Sequence, residues 1–315
     1  MDLRRTKELD FSGLTLYSAE TRHNLVTTEN IMTPGVTKTE DYQAEGFDTL
    51  VEKILEARKN GKEVIVSIGA HVIKSGLSRY LIALAKDGWI THLSANGACS
   101  IHDFELAMLG GTSEDVPTAI EDGSFGMWEQ TLIHMNKAIH IGAEKGWGYG
   151  EALAEYVEAN PELFPHKEDC VFWNLYKLDI PATYHIALGT DIIHQSPTCN
   201  MAEIGKCSGV DFKRYCYCIS QMDEGVFLNF GSAVIGRLSC GERLLLRCDG
   251  NAWNSVPSTQ GKDPSYRARR WKRGSSVCGR DSCASSRVET GISGKFLSCI
   301  KGVKDPLEVP EFRFD

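Results

Sequence analysis

No apolar run in the sequence approaches the roughly 18–20 residues that a membrane-spanning helix needs, so neither a transmembrane segment nor a membrane partner is expected. The opening residues, MDLRRTKELDFSG, carry basic side chains with no apolar stretch behind them. A secretory signal is therefore not expected, and a cytoplasmic location is. Paired CxxC motifs are also missing. The close cysteine pairs are Cys216/Cys218 and Cys278/Cys283, which do not match the spacing of zinc ribbons. An odd total of 11 cysteines without a secretory leader argues against a disulfide framework. Reduced thiols and no metal are the expectation. No loop fits GxGxxG, and no internal repeat is found.

What is present suits a globular protein. A chain of 315 residues, 42% hydrophobic and 24% charged, has the length for one large or two smaller domains with a substantial core. The net charge of −8 is unevenly spread. Residues 1–236 hold 19 Lys+Arg against 33 Asp+Glu, and residues 237–315 hold 15 against 9.

Residues 1–46 are polar and rich in turn formers, which reads as an irregular arm packed on the domain. From Phe47 the chain becomes periodic. Phe47, Leu50, Val51, Ile54 and Leu55 recur at helical spacing, and Asn60-Gly61 ends that helix. EVIVSIGA (63–70) reads as a buried strand, Ser75-Gly76-Leu77 as the opening of a helix through Leu84, and WITHLSANG (89–97) as the next strand and its exit loop. Helices are expected over 101–109, 127–146, 149–158, 170–178 and 199–220, with strands over 180–189 and 225–236. Repeated strand–helix alternation implies an α/β fold, a doubly wound and mainly parallel sheet with helices on both faces. After Gly236 neither helical nor strand periodicity continues. Residues 237–315 read as a divergent, poorly packed basic tail, out of frame or foreign to the domain. Without interleaved aromatic platforms, it does not point to nucleic acid.

In open α/β sheets, ligands bind beyond the carboxyl ends of the strands. Four such ends are rich in small or polar residues: Gly69-Ala70-His71 with Ser75-Gly76, Ser94-Ala95-Asn96-Gly97, Gly189-Thr190-Asp191 and Gly231-Ser232-Ala233. Their convergence on one edge suits a dinucleotide, although any single one also reads as an ordinary turn. His71, His92, His102, His185 and His194 lie at or near the same edge. His102 and His194 are the leading acid–base candidates, because each follows a ligand loop, and Asp103 and Glu105 lie just beyond His102.

The runs VSIGAHVIKSGLSRYLIALAKDGWITHLSANGACSIHDFELA (66–107), VFWNLYKLDIPATYHIALGTDIIH (171–194) and VFLNFGSAVIG (226–236) resemble segments of deoxyhypusine synthases in the same order. The resemblance implies a Rossmann-like NAD-binding domain with cofactor contacts at Gly69, Ala70, His71, Ser75, Ser94, Ala95, Asn96, Gly97, Thr190 and Asp191, and with Asp103 or Glu105 on a ribose. It further implies an aminobutyl transferase acting on spermidine, with a polyamine or other amine substrate and a homotetrameric assembly. Phe172, Trp173 and Tyr176 are then candidates for interface or for intrachain core. The family's imine-forming lysine has no matching context, since Trp271-Lys272 and Gly294-Lys295 stand in unrelated surroundings. An impaired enzyme, a non-catalytic nucleotide-binding paralogue and a homospermidine synthase-like enzyme are the readings left open.

Overall fold

A computed structural model describes residues 9–37 and 46–230. The Gly231-Ser232-Ala233 loop, the rest of the run to Gly236 and the basic tail lie outside the described residues, as do Lys272 and Lys295.

The first described stretch contains short 3-10 turns and β1 (Asn24–Thr27). Next comes α1 (Phe47–Lys59), whose buried Val51, Ile54, Leu55 and Ala57 form the stripe that the spacing required. β2 (Val64–Ile68) is buried along its whole length, as a central parallel strand should be. It leads into the short α2 (Ala70–Lys74) and then α3 (Ser78–Lys86). β3 (His92–Asn96) runs directly into α4 (Gly97–Leu109), and β4 (Gly111–Glu114) and α5 (Val116–Asp122) follow. The helices α6 (Glu129–Lys145), α7 (Tyr149–Ala159) and α8 (Val171–Lys177) precede β5 (Ala182–His185). The described chain closes with α9 (Met201–Ser220) and β6 (Val226–Phe230).

Four of these strands form a parallel sheet in the order β5-β3-β2-β6. The chain therefore builds outward from β2 through β3 to β5, then returns to the other side of β2 with β6. That reversal puts a topological switch point at the carboxyl ends of β2 and β6. Alternate strand residues face opposite sides. Val64, Val66, Ile68, Leu93 and Ala95 enter the main core, and Ile65 packs with Tyr215 and Ile219 of α9 on the other face. This is the expected doubly wound α/β architecture.

Several local details differ from expectation. Residues 9–37, expected as an irregular arm packed on the domain, contain one short strand as well, because β1 pairs antiparallel with β4, and Ile31 is buried in the main core. A four-residue strand with a distant partner leaves no periodicity to detect. Ser75-Gly76-Leu77 leads into α3 at Ser78, and it also separates that helix from the short α2, which was not expected. Gly76 has φ 77°, and a Cβ there would lie 2.2 Å from the Asn30 carbonyl oxygen, so the early segment can dock only against glycine. The helix expected over 101–109 starts earlier, at Gly97, because Asn96 caps it by accepting from the Cys99 amide at 3.1 Å. The strand expected over 180–189 is shorter and ends at His185. Phe172 and Trp173 are buried within the chain, which makes them core and not interface surface. Among the described residues, no helix is long and apolar enough to cross a membrane, and no group of three His, Cys, Asp or Glu side chains is placed to hold a metal ion.

Candidate functional site

α4 is buried on nearly every side, so its polar residues must find partners inside the protein. Glu105 does so completely. Its Oε1 accepts from Arg22 Nη1 at 2.6 Å and Thr131 Oγ1 at 2.8 Å, and its Oε2 accepts from Thr112 Oγ1 at 2.6 Å. Burial pushes its carboxyl up, but the charge and hydrogen bond of Arg22 outweigh this and hold it below the usual carboxylate range. Arg22, equally buried, also donates from Nε to Asn24 Oδ1 at 2.8 Å, and its guanidinium lies 5.6 Å from the Trp128 ring centre.

His102 lies one helical turn from Glu105, and its Nδ1 is 2.7 Å from Thr112 Oγ1. The Thr112 hydroxyl has a single proton, already donated to Glu105. Thr112 must therefore accept from His102, which fixes the Nδ1–H tautomer and leaves Nε2 with a lone pair. Burial pushes the imidazole down to about 4, with Lys74, Arg22 and His71 adding to the effect against Glu105. His102 is neutral at pH 7.

Beside this network is a cavity of about 230 Å³. Arg22, Lys74, His102, Glu105, Glu114 and Asp191 give it its charged and polar character, with Thr190 near Asp191. Glu114 is held by the Gly126 amide at 3.1 Å and by Trp128 Nε1 at 2.5 Å. Burial raises the Asp191 carboxyl to about 6. That carboxylate sits at the beginning of α4, where a Cβ on Gly97 would lie 1.9 Å from Asp191 Oδ2. We expect Gly97→Ala to force the two apart and cost about 1–3 kcal/mol. Urea denaturation checks this, and wild-type stability would show that the 189–194 loop gives way freely.

His194 holds that loop. Its Nδ1 accepts from the Gly189 and Asp191 amides, both at 3.1 Å, and its Nε2 has no hydrogen-bond partner and lies 4.0 Å from Asp191 Oδ2. With Nδ1 engaged as an acceptor, the ring is neutral and carries its proton on Nε2, consistent with a value lowered by burial. The other expected residues are spread along the edge. Gly69 caps α2 and donates its amide to the Phe230 carbonyl at 2.9 Å. Ala70 and His71 begin α2, and Ser75 ends it. Asn96 caps α4, whereas Ser94 and Ala95 are buried within β3. Asp103 lies away from the cavity. It is fully buried and accepts from the Val171 and Phe172 amides at the start of α8, both at 3.0 Å, and from Cys170 Sγ at 3.5 Å.

The structure thus brings His102, Glu105, Thr190 and Asp191 to one cavity. Sequence reasoning missed Arg22, Thr112, Glu114 and Trp128. Arg22 lies 83 residues from its counterion, a separation that no local pattern encodes.

No family model matches the chain, and no curated protein matches it. Among solved structures, it is similar to ArgZ, an arginine dihydrolase from the ornithine-ammonia cycle in cyanobacteria. Identity there is 18% over 83% of this chain and 33% of the other, with a TM-score of 0.46. It is also similar to AgrE, determined in a ternary complex with ornithine and NAD+, at 15% identity over 84% of this chain and 34% of the other, with a TM-score of 0.44. A LOR/SDH protein from Methanococcus maripaludis S2 matches at 16% identity over 62% and 55%, with a TM-score of 0.36. The chain spans about a third of the length of ArgZ and AgrE. These findings overturn the resemblance to deoxyhypusine synthases, since the neighbours are arginine-related and LOR/SDH proteins. Three expectations that came with that resemblance fall with it: spermidine aminobutyl transfer, the homospermidine synthase-like alternative and a polyamine or amine partner.

Proposed function

We propose that this chain contains a unit for binding a dinucleotide of the NAD class at the carboxyl edge of its parallel sheet, next to a cavity for a small second molecule. The observation that carries this reading is the strand order, with its reversal between β2 and β6, together with the Asp191 carboxylate held at the end of β3 beside Gly97. The edge suits the group. Gly69 and Ala70 are small residues at the turn after β2, the kind of residue that lets a pyrophosphate come close to a backbone. Asp191 supplies the acceptor that a ribose diol requires, and His194, through its grip on the 189 and 191 amides, keeps that carboxylate in place. Asp103 has no part in this reading, because its oxygens cap α8.

A nicotinamide, when bound, supplies hydride transfer. The chain's own contribution is a proton acceptor. His102 is neutral, its tautomer is set by Thr112, and its Nε2 lone pair is available to a hydroxyl or ammonium group in the cavity. Glu105 fixes Thr112 and balances Arg22, and so positions His102 without touching a ligand. The segment before α1 belongs to the functional unit, because it contributes Arg22.

Calorimetric titration with NAD+ tests the reading. Affinity should fall about tenfold between pH 7.5 and pH 5, as Asp191 takes up a proton and loses its strength as an acceptor. Asp191→Asn should bind more weakly at pH 7.5 and lose most of this pH dependence. No binding to the wild type would eliminate the cofactor, and a pH profile unaltered by Asp191→Asn would eliminate the residue.

A further inference from the structure

The guanidinium of Arg22 is fixed on three sides. Nη1 is committed to Glu105, Nε to Asn24, and the face of the group to Trp128. Only 2% of the side chain is exposed, and Nη2 has no hydrogen-bond partner. Nearby carboxylates do not take it. Glu105 Oε1 is taken by Arg22 Nη1 and Thr131 and its Oε2 by Thr112, and Glu114 is held by Gly126 and Trp128. Leaving a buried donor on a charged group unsatisfied is costly, and a fork of N–H groups on a fixed plane matches the oxygens of a carboxylate or phosphate.

Arg22 and Lys74 both line the 230 Å³ cavity. Both cations bear electrostatically on the His102 ring, as Glu105 does in the opposite sense. The carboxylates of Glu105, Glu114 and Asp191 also line the cavity, and although Arg22 balances Glu105, an anion with no other polar group would meet repulsion there. The space is smaller than the roughly 300–1,000 Å³ typical of pockets for drug-sized ligands.

We propose that the cavity is a subsite for the oxyanion group of a small molecule, a carboxylate or phosphate bound by Arg22 and Lys74, whose other end presents a hydroxyl or ammonium donor to His102. The group could belong to a separate small ligand or to a phosphate of the dinucleotide proposed above. The subsite itself does not depend on that cofactor reading.

The test is calorimetric titration of the full chain with glycolate and with inorganic phosphate, with and without saturating NAD+. Arg22→Lys keeps a cation for Glu105 but removes the second nitrogen, and Lys74→Met removes the other charge. Wild type should bind at least one of the two anions. Arg22→Lys should weaken that binding at least tenfold in a protein that still folds, and Lys74→Met should weaken it severalfold at an unchanged melting temperature. Anion binding that persists beside NAD+ assigns the subsite to a separate molecule, whereas competition assigns it to the dinucleotide's phosphate. Failure of wild type to bind either anion overturns the proposal, as does an affinity that Arg22→Lys leaves unchanged. If Arg22→Lys does not fold, unchanged affinity in Lys74→Met overturns it equally. Absence of NAD+ binding alongside retained anion binding would remove the cofactor reading and leave the subsite standing.

Discussion

Glu105→Gln is expected to destabilise the protein by about 3–5 kcal/mol, because it leaves the Arg22 charge buried without a counterion. The pair is almost fully enclosed, with both side chains 2% exposed, so solvent does little to screen the loss. Glutamine can still accept from Thr112 or Thr131, which isolates the charge as the cause. For a chain of this size, the melting temperature should fall by about 10 °C. The double variant Arg22→Met/Glu105→Leu removes both charges and should recover a large part of the loss, since apolar replacement of a buried pair is often close to neutral. Thermal and urea denaturation of the three variants provides the measurement. A Glu105→Gln protein as stable as wild type would mean that Arg22 is not held as described. Recovery in the double variant would separate a structural cost from a functional one, because neither the subsite nor the base-positioning network would return with it.

A second large effect is expected from acid. On the α9 face of the sheet, His92 Nε2 is 2.8 Å from Thr183 Oγ1, which is 3.3 Å from His185 Nε2. Tyr215 packs its ring against both imidazoles. Burial, with a smaller contribution from His185, pushes His92 down to about 3, and burial pushes His185 down to about 4. Histidines in the unfolded chain titrate near 6.5. Between pH 6.5 and pH 4 the unfolded state therefore binds more protons, so stability falls as pH falls through that window. From pH 7 to pH 5, each histidine should remove about 2 kcal/mol. Buried Asp103 and Asp211, both raised to about 7 by desolvation, act in the opposite direction, so the total slope does not isolate the histidines. The difference between variants does. His185→Gln and His92→Gln should each reduce the loss between pH 7 and pH 5 by about 2 kcal/mol relative to wild type. An unchanged difference would show that the rings are not held neutral in the folded protein.

The sheet was legible because its strands are written locally. VIVSI is apolar throughout and lies at the centre, and the helical stripe of α1 survives as its buried face. The strand-end loops were legible for the same reason, and Thr190 and Asp191 do reach the cavity. The cavity floor was not legible. Arg22 sits in a polar stretch with no periodicity, and β1 is short and pairs with a strand nearly 90 residues later. Asp103 and Glu105 looked equivalent in sequence. Two residues apart on a helix, they point to different neighbours, so one caps α8 and the other neutralises Arg22. The family resemblance failed for a related reason. Small and polar residues at strand ends answer the needs of any nucleotide-edge α/β sheet, and so do not distinguish one family from another.

The separation of Arg22 from Glu105 also sets an order of events during synthesis. Arg22 leaves the ribosome 83 residues before its counterion, an interval of about 4–17 s at ordinary elongation rates of roughly 5–20 residues per second. Through nearly all of that interval the arginine must remain in water, because among the described residues the first buried carboxylate after it is Asp103, two residues before Glu105 and itself capping α8. The early segment therefore cannot take its final place as it emerges. It closes over α4 and β4 only after both exist, making the floor of the cavity one of the later parts of the molecule to assemble.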